Sequence, residues 1–288
     1  MVKALKFGAV VIATGALVSR ADEPTAHKDI EYARVQNTPM SLDLYKPPAE
    51  QTGPLIVYIH GGAWRGGSKT EMPLKDLVSA GCPVASVDYR LSTVARFPAQ
   101  IHDIKAAIRF LRSRQKELGI DSSKIVVAGS SAGGHLAALV GVTNGNTELE
   151  GTEGDFTRES SSVQGIVSFF GAANLTTILA QSTPHGLSVR VPALDLLLGG
   201  QPDAKPELAR LASPVFHIDK NDPPLLLIHG DQDTQMPVNQ ALELQGAYEA
   251  AGRKVRLEII HGAGHGGSSF YDTKRMSLVK EFLRDLPR

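Results

Sequence analysis

The sequence predicts an α/β domain: a mostly parallel sheet covered by helices on both faces, with an antiparallel hairpin at its N-terminal edge. Three observations predict it. Short, unbroken apolar runs recur along the chain ("PLIVYIH", "PVASVDY", "KIVVAG", "VQGIVSFFG", "PPLLLIHG"). Runs of this length without alternation suit strands buried on both faces. Segments with helical periodicity lie between them, and that alternation is the mark of parallel strands joined by crossover helices. The opening "EYARVQNTPMSLDLYKP" reads instead as two strands around a turn at Asn37, Thr38 and Pro39.

Each element follows in order. The strand in "PLIVYIH" precedes a stretch of weak helical signal, Leu74 to Ala80, and then the strand in "PVASVDY". "FPAQIHDIKAAIRFLRSRQKELG" is a helix with Pro98 in its first turn. Its apolar stripe is Ile101, Ile104, Ile108, Leu111 and Leu118, and Gly119 suits its stop. "KIVVAG" is a strand and "SAGGHLAALVG" a helix. Asn144 to Ser162 is polar and Gly-rich, a surface loop. After the strand in "VQGIVSFFG" comes an insertion, Gly171 to Asp219, of the length often given to functional covers but too short for an independent domain. Leu194, Leu196, Leu197 and Leu198 within it either line an acyl pocket or belong to the core. The strand in "PPLLLIHG", a helix in "VNQALELQGAYEAAG", a strand in "KVRLEII" and an amphipathic helix in "SSFYDTKRMSLVKEFLRDL" complete the chain.

Composition narrows the function. The chain has 288 residues, 42% of them hydrophobic, enough to fill one large core. Lysine plus arginine equals aspartate plus glutamate at 30 each, so charge gives no reason to expect nucleic acid or an anionic membrane as a partner. Cys82 is the only cysteine, which excludes an intramolecular disulfide. It starts an apolar run with no electropositive neighbour, and reads as a buried, inert thiol. The histidines have no cysteine partners, and no metal or cofactor is expected. The first 21 residues read as a secretion signal: Lys3 and Lys6, an apolar run from Phe7 to Val18, then Ser19 and Ala21 before a cut. That run is too short to span a bilayer comfortably. Residues 22–288 are then a mature, secreted or periplasmic domain without stable membrane insertion.

The chemistry is carried by four loops, each following a predicted strand. "GSSAG" puts Ser131 at the centre of a G-x-S-x-G between strand and helix. Gly129 and Gly133 let neighbouring chains approach that sharp turn, while Ser130 falls off the frame. The N–H of Ala132 then faces a developing oxyanion. "HGGAW" follows another strand, and Gly62 and Ala63 are its expected oxyanion donors. A serine hydroxyl needs a base, and the base an orienter. In the chain order serine, acid, histidine, the acid is Asp231 or Asp233 in "DQDTQMP", and the base is His261 or His265 in "HGAGHGG".

These residues resemble the α/β-hydrolase superfamily, in its HGGxW esterase branch, which includes bifunctional feruloyl and acetyl-xylan esterase-like proteins and, more distantly, arylformamidases. The likeness rests on "HGGAW", "DYRLS", "FPAQIHDIKAAIRFLR", "GSSAGGHLAAL", "HGDQDTQMP" and "GAGHG" and covers nearly all of residues 22–288. The family spacing H-G-x-x-D-x-x-x-P implies Asp233 as the acid, and G-x-x-H-G implies His265 as the base. Trp64 stands where hormone-sensitive-type lipases carry a further glycine, and no D-P-L acid motif is present. Both differences argue against that neighbouring branch.

The resemblance implies a serine carboxylesterase for short-acyl or aromatic-acyl esters, such as acetyl or feruloyl groups on plant polysaccharide. Its rivals are an arylformamidase-type amide hydrolase, a prolyl-oligopeptidase-like serine peptidase and a catalytically inactive binding protein on the same scaffold. Trp64 is a candidate substrate-binding residue, with loop packing as its other reading. His60 is expected to fix its loop, His135 to be structural, and His102 to make a surface or helix contact. Arg90 of "DYR" is expected to pair with a carboxylate.

Overall fold

The computed structural model describes residues 24–287, so the secretion-signal expectation for residues 1–21 lies outside them. The chain runs β1 (Thr25–Val35), β2 (Thr38–Lys46), β3 (Leu55–Ile59), α1 (Lys75–Ser79), β4 (Val84–Val87), α2 (Ala99–Ser113), α3 (Gln115–Leu118), β5 (Ile125–Ser130) and α4 (Ala132–Gly141). It continues with β6 (Gly165–Phe169), α5 (Ile178–Gln181), α6 (Pro184–Leu198), α7 (Pro206–Leu211), β7 (Leu225–Gly230), α8 (Asn239–Ala250), β8 (Val255–Ile260) and α9 (Thr273–Arg284). The eight strands form one sheet in the order β1-β2-β4-β3-β5-β6-β7-β8. β2 pairs antiparallel with both β1 and β4, and every pair from β4 to β8 is parallel.

The central strands β3 to β7 are buried on both faces, as their unbroken runs require. In β3, Leu55, Val57 and Ile59 join a core with α2, α4, α6 and α8. The alternate residues Ile56 and Tyr58 join a second core with α1 and α9. That two-sided burial explains why β3 shows no polar alternation in its sequence.

Three element boundaries differ from the sequence reading, each for a local reason. The hairpin turn is at Gln36 and Asn37, both with positive φ (48° and 68°), while Thr38 and Pro39 begin β2. Pro39 lies beyond the stretch of β2 that pairs with β4, where its missing N–H costs no ladder bond on that side. The long helix breaks at Arg114 into α2 and α3, and Gly119 ends α3 in the left-handed region. The last helix begins at Thr273, because Asp272 caps it by accepting the Arg275 N–H. A short 3₁₀ turn, Ser268–Phe270, precedes it.

Buried polar residues on α2 hold the loops near the sheet. Arg90 donates to both oxygens of Asp103 and to Glu153, which is the carboxylate pairing expected of it. Lys105 and Arg109 both reach Glu150 and so tie residues 144–162 to α2. The insertion is packed down as well. Leu194, Leu197 and Leu198 are buried in the core, and only Leu196 keeps partial exposure. Among the described residues, no helix is long and apolar enough to cross a membrane.

Candidate active site

Ser131 sits at the tip between β5 and α4 with φ 54° and ψ −117°, a conformation that a residue with a Cβ adopts only under strain. Its N–H donates to Phe169 O and its carbonyl accepts from His135 N, so both sides of the tip are fixed. The flanking glycines are steric necessities. A Cβ on Gly129 would lie 2.3 Å from Gly133 O, and one on Gly133 would lie 2.0 Å from Ile59 O. The crowding brings β3, β5 and α4 together and turns the serine hydroxyl outward.

The loop after β8 brings His265 to that hydroxyl. Ser131 Oγ is 2.8 Å from His265 Nε2, and His265 Nδ1 is 2.7 Å from Asp233 Oδ2. A carboxylate only accepts, so Nδ1 carries the ring proton and Nε2 is free to accept from the serine hydroxyl. The edge of the His265 ring contacts Phe170, with centroids 4.9 Å apart. Asp233 is the residue that the family spacing implies as the acid. Its Oδ1 accepts from Gln235 N and Met236 N, and its carboxyl is fully buried. Burial alone would raise its pKa. Hydrogen bonding from His229 and His265, together with the Met236 N–H, reverses that and holds it well below the usual carboxylate range.

The alternatives, Asp231 and His261, pair with each other at 2.8 Å on the exposed side of the same loops. His261 and His265 are four apart, a spacing that on a helix would turn both rings to one side. Here they lie in a glycine-rich loop and take separate carboxylates. Ser130 points away from the tip: its Oγ is 2.9 Å from Tyr58 OH.

The loop after β3 lies directly against the serine. A Cβ on Gly61 would be 3.4 Å from Ser131 Cβ. Gly62, Ala63 and Trp64 all have positive φ (98°, 51° and 60°), a tight left-handed run closed by Arg65 N and Gly66 N donating to Gly62 O. Among the described residues, the N–H groups of Gly62, Ala63 and Ala132 donate to no protein acceptor. His60 supports the loop from beneath: its Nδ1 is bonded to Gly61 O at 2.9 Å and its ring stacks on Tyr89 at 4.4 Å.

Of the two readings of Trp64, burial favours loop packing. The residue is completely buried, and its Nε1–H donates to His135 Nδ1. An indole with no exposed surface packs the loop and does not wall a substrate pocket. His135 is buried as well, and its pKa is pushed down to about 4 by burial, so its ring is neutral. Nε2–H donates to Ala212 O, and the chain Trp64–His135–Ala212 links the glycine loop, α4 and the insertion. His102 keeps partial exposure on α2, with Nδ1 3.7 Å from Glu153.

The sequence reading did not single out Thr183, Arg190 and His229, which surround the Asp233 turn. Only His229 carried a signal, as the first residue of the H-G-x-x-D spacing. Chemically, the assembled site can deprotonate a serine hydroxyl and hold an oxyanion on backbone donors.

Residues 42–248 match the family described as BD-FAE. Esterase LipC of Mycobacterium tuberculosis is 35% identical over 78% of this chain and 56% of its own length. The chain spans about half the length of the curated relatives it matches. Among solved structures, a truncated form of a carbohydrate esterase from gut microbiota has a TM-score of 0.81 at 31% identity, over 93% of this chain and 98% of that one. A bifunctional GH43-CE protein of Bacteroides eggerthii has a TM-score of 0.80 at 33% identity, over 91% of this chain and 35% of that one.

Proposed function

The chain belongs to the BD-FAE family, with the α/β-hydrolase fold, and from that premise we propose that it is a serine carboxylesterase. One observation carries the reading: the unbroken chain of contacts from Ser131 Oγ through His265 to Asp233, at 2.8 and 2.7 Å. Ser131 attacks the ester carbonyl. His265 Nε2 takes the hydroxyl proton and then gives it to the departing alcohol oxygen. Asp233 fixes the Nδ1–H tautomer and stabilises the imidazolium. The tetrahedral oxyanion is held by the N–H groups of Ala132, Gly62 and Ala63. Water, deprotonated by the same imidazole, releases the acyl group. Every step uses side chains and backbone of this chain, without a cofactor.

The substrate is a short or aromatic acyl group on a hydroxylated alcohol, of the acetyl or feruloyl type on polysaccharide. Likeness to a truncated carbohydrate esterase and to a bifunctional GH43-CE protein supports this. Turnover compared across acetylated xylan, methyl ferulate, a long-chain p-nitrophenyl ester and N-formylkynurenine tests it. The highest kcat/KM is expected on one of the first two. A tenfold preference for N-formylkynurenine would replace the ester reading with amide hydrolysis, and a preference for the long chain would refute the polysaccharide reading. We also propose export, directed by residues 1–21. N-terminal sequencing of the exported protein should find Asp22 or a residue within a few positions of it, and an intact Met1 on a membrane-bound product would contradict it.

A further inference from the structure

The turn that presents Asp233 is held from outside as well as from within. Its own hydrogen bonds, Gln235 N and Met236 N to Oδ1, close it around the carboxylate. The three following carbonyls then face outward, and each meets a different side chain. Thr183 Oγ1 donates to Thr234 O at 2.6 Å. Arg190 Nε donates to Gln235 O at 3.4 Å. His229 Nε2 donates to Met236 O at 2.9 Å. Thr183 and Arg190 come from the insertion: the first caps α6 by accepting Gly186 N, and the second lies within α6 itself. Between them α6 presses its backbone on the turn, where a Cβ on Gly186 would lie 2.9 Å from Thr234 O and 3.2 Å from Gln235 O.

The last two contacts reach further. His229 Nε2 lies 3.5 Å from Asp233 Oδ2, so the positive end of its N–H faces the same oxygen that binds His265. The Arg190 guanidinium is buried and lies 5.8 Å from the centre of the Trp64 ring. It forms no ion pair among the described residues. A buried cation without a carboxylate partner is costly unless its site has a use for it. Its position joins the acid turn on one side to the glycine loop that carries the oxyanion donors on the other.

We propose that Thr183, Arg190 and His229 are positioning residues that clamp the Asp233 turn through its three consecutive carbonyls, and that α6 is thereby a fixed buttress of the catalytic acid. The inference rests on the reading of Asp233 as that acid. Held this way, the carboxylate keeps the His265 ring aimed at Ser131, and α6 does not lift as a lid during turnover.

Double-mutant cycles test it. Thr183→Val and Arg190→Met should each lower kcat on a short ester by about three- to tenfold, the orienting energy of one hydrogen bond, with KM unchanged. Thr183→Ser, which keeps the donor and the cap, should retain wild-type kcat. In an Asp233→Asn background the same two substitutions should change kcat by less than about twofold, because their effect passes through Asp233. Thermal melts establish that each variant is folded. Equal losses in both backgrounds would mean general damage and overturn the clamp, as would Thr183→Val at wild-type kcat. If Asp233→Asn alone leaves kcat unchanged, the catalytic reading of Asp233 fails first, whatever the clamp variants do.

Discussion

Ser131 carries its strain whether or not it carries its hydroxyl, and two inactive variants separate the two. Ser131→Ala and Ser131→Gly both remove Oγ and its bond to His265 Nε2. Only the glycine also removes the Cβ that makes φ 54°, ψ −117° unfavourable. Backbone strain of this kind costs about 1–3 kcal/mol. The greater chain entropy of unfolded glycine offsets about 0.5–1 kcal/mol of the relief. Ser131→Gly should therefore be more stable than Ser131→Ala by about 0.5–2 kcal/mol. For a domain of this size that is a difference in Tm of about 1–8 °C, read by calorimetry on both proteins at one pH. At an ordinary helix start away from the left-handed region the order would be equal or reversed. A Ser131→Ala melting at or above Ser131→Gly would refute the claim that the fold stores strain at its nucleophile.

Other perturbations follow from the same geometry. Ser131→Ala and His265→Ala should each lower kcat by roughly 10³-fold or more, and Asp233→Asn by less, since it misaligns the base without removing it. Ser130→Ala, which loses a bond to Tyr58 away from the tip, should stay within a few fold of wild type. Asp233 is held well below the usual carboxylate range and stays ionised, so it should add no proton to the acid limb of kcat. A limb steeper than one proton would contradict that assignment. Glu153 is held down to about 2 by hydrogen bonding to His102, against the opposing effect of burial, with Arg90 adding to the depression. Its folded pKa lies below its unfolded value, so the stability it contributes is complete above the ordinary glutamate pKa and is lost as pH falls towards 2; removing it in Glu153→Gln should flatten urea-measured stability over that window. Gly133→Ala puts a methyl 2.0 Å from Ile59 O and 2.5 Å from His60 O, both backbone atoms that cannot swing aside, and should abolish activity and lower Tm sharply.

Much of this site was legible because its chemistry and its sterics leave marks close together in the chain. Gly129 and Gly133 mark the close approach around Ser131, Asp233 follows the buried strand β7, and His265 follows the edge strand β8. The hairpin turn was displaced by one or two residues because Gln36 and Asn37 take positive φ without a glycine, and Pro39 drew attention to itself instead. Trp64 carries two readings in the sequence because an aromatic beside two glycines gives no hint of which side it faces. Its burial is decided by His135 and Arg190, distant in sequence. The grip on the acid turn was illegible for the same reason. Thr183 and Arg190 lie on an insertion with no motif, and their partners are main-chain carbonyls, which no sequence pattern records.

A fluorophosphonate probe, followed by peptide mass analysis, reads the central claim in one step, because it modifies only a serine whose oxygen is activated and whose adduct fits an oxyanion site. The expected result is a single adduct on Ser131 of the native protein, absent from Ser131→Ala and slowed in His265→Ala. An adduct on Ser130, or an actively hydrolysing protein that takes no label at all, would contradict it.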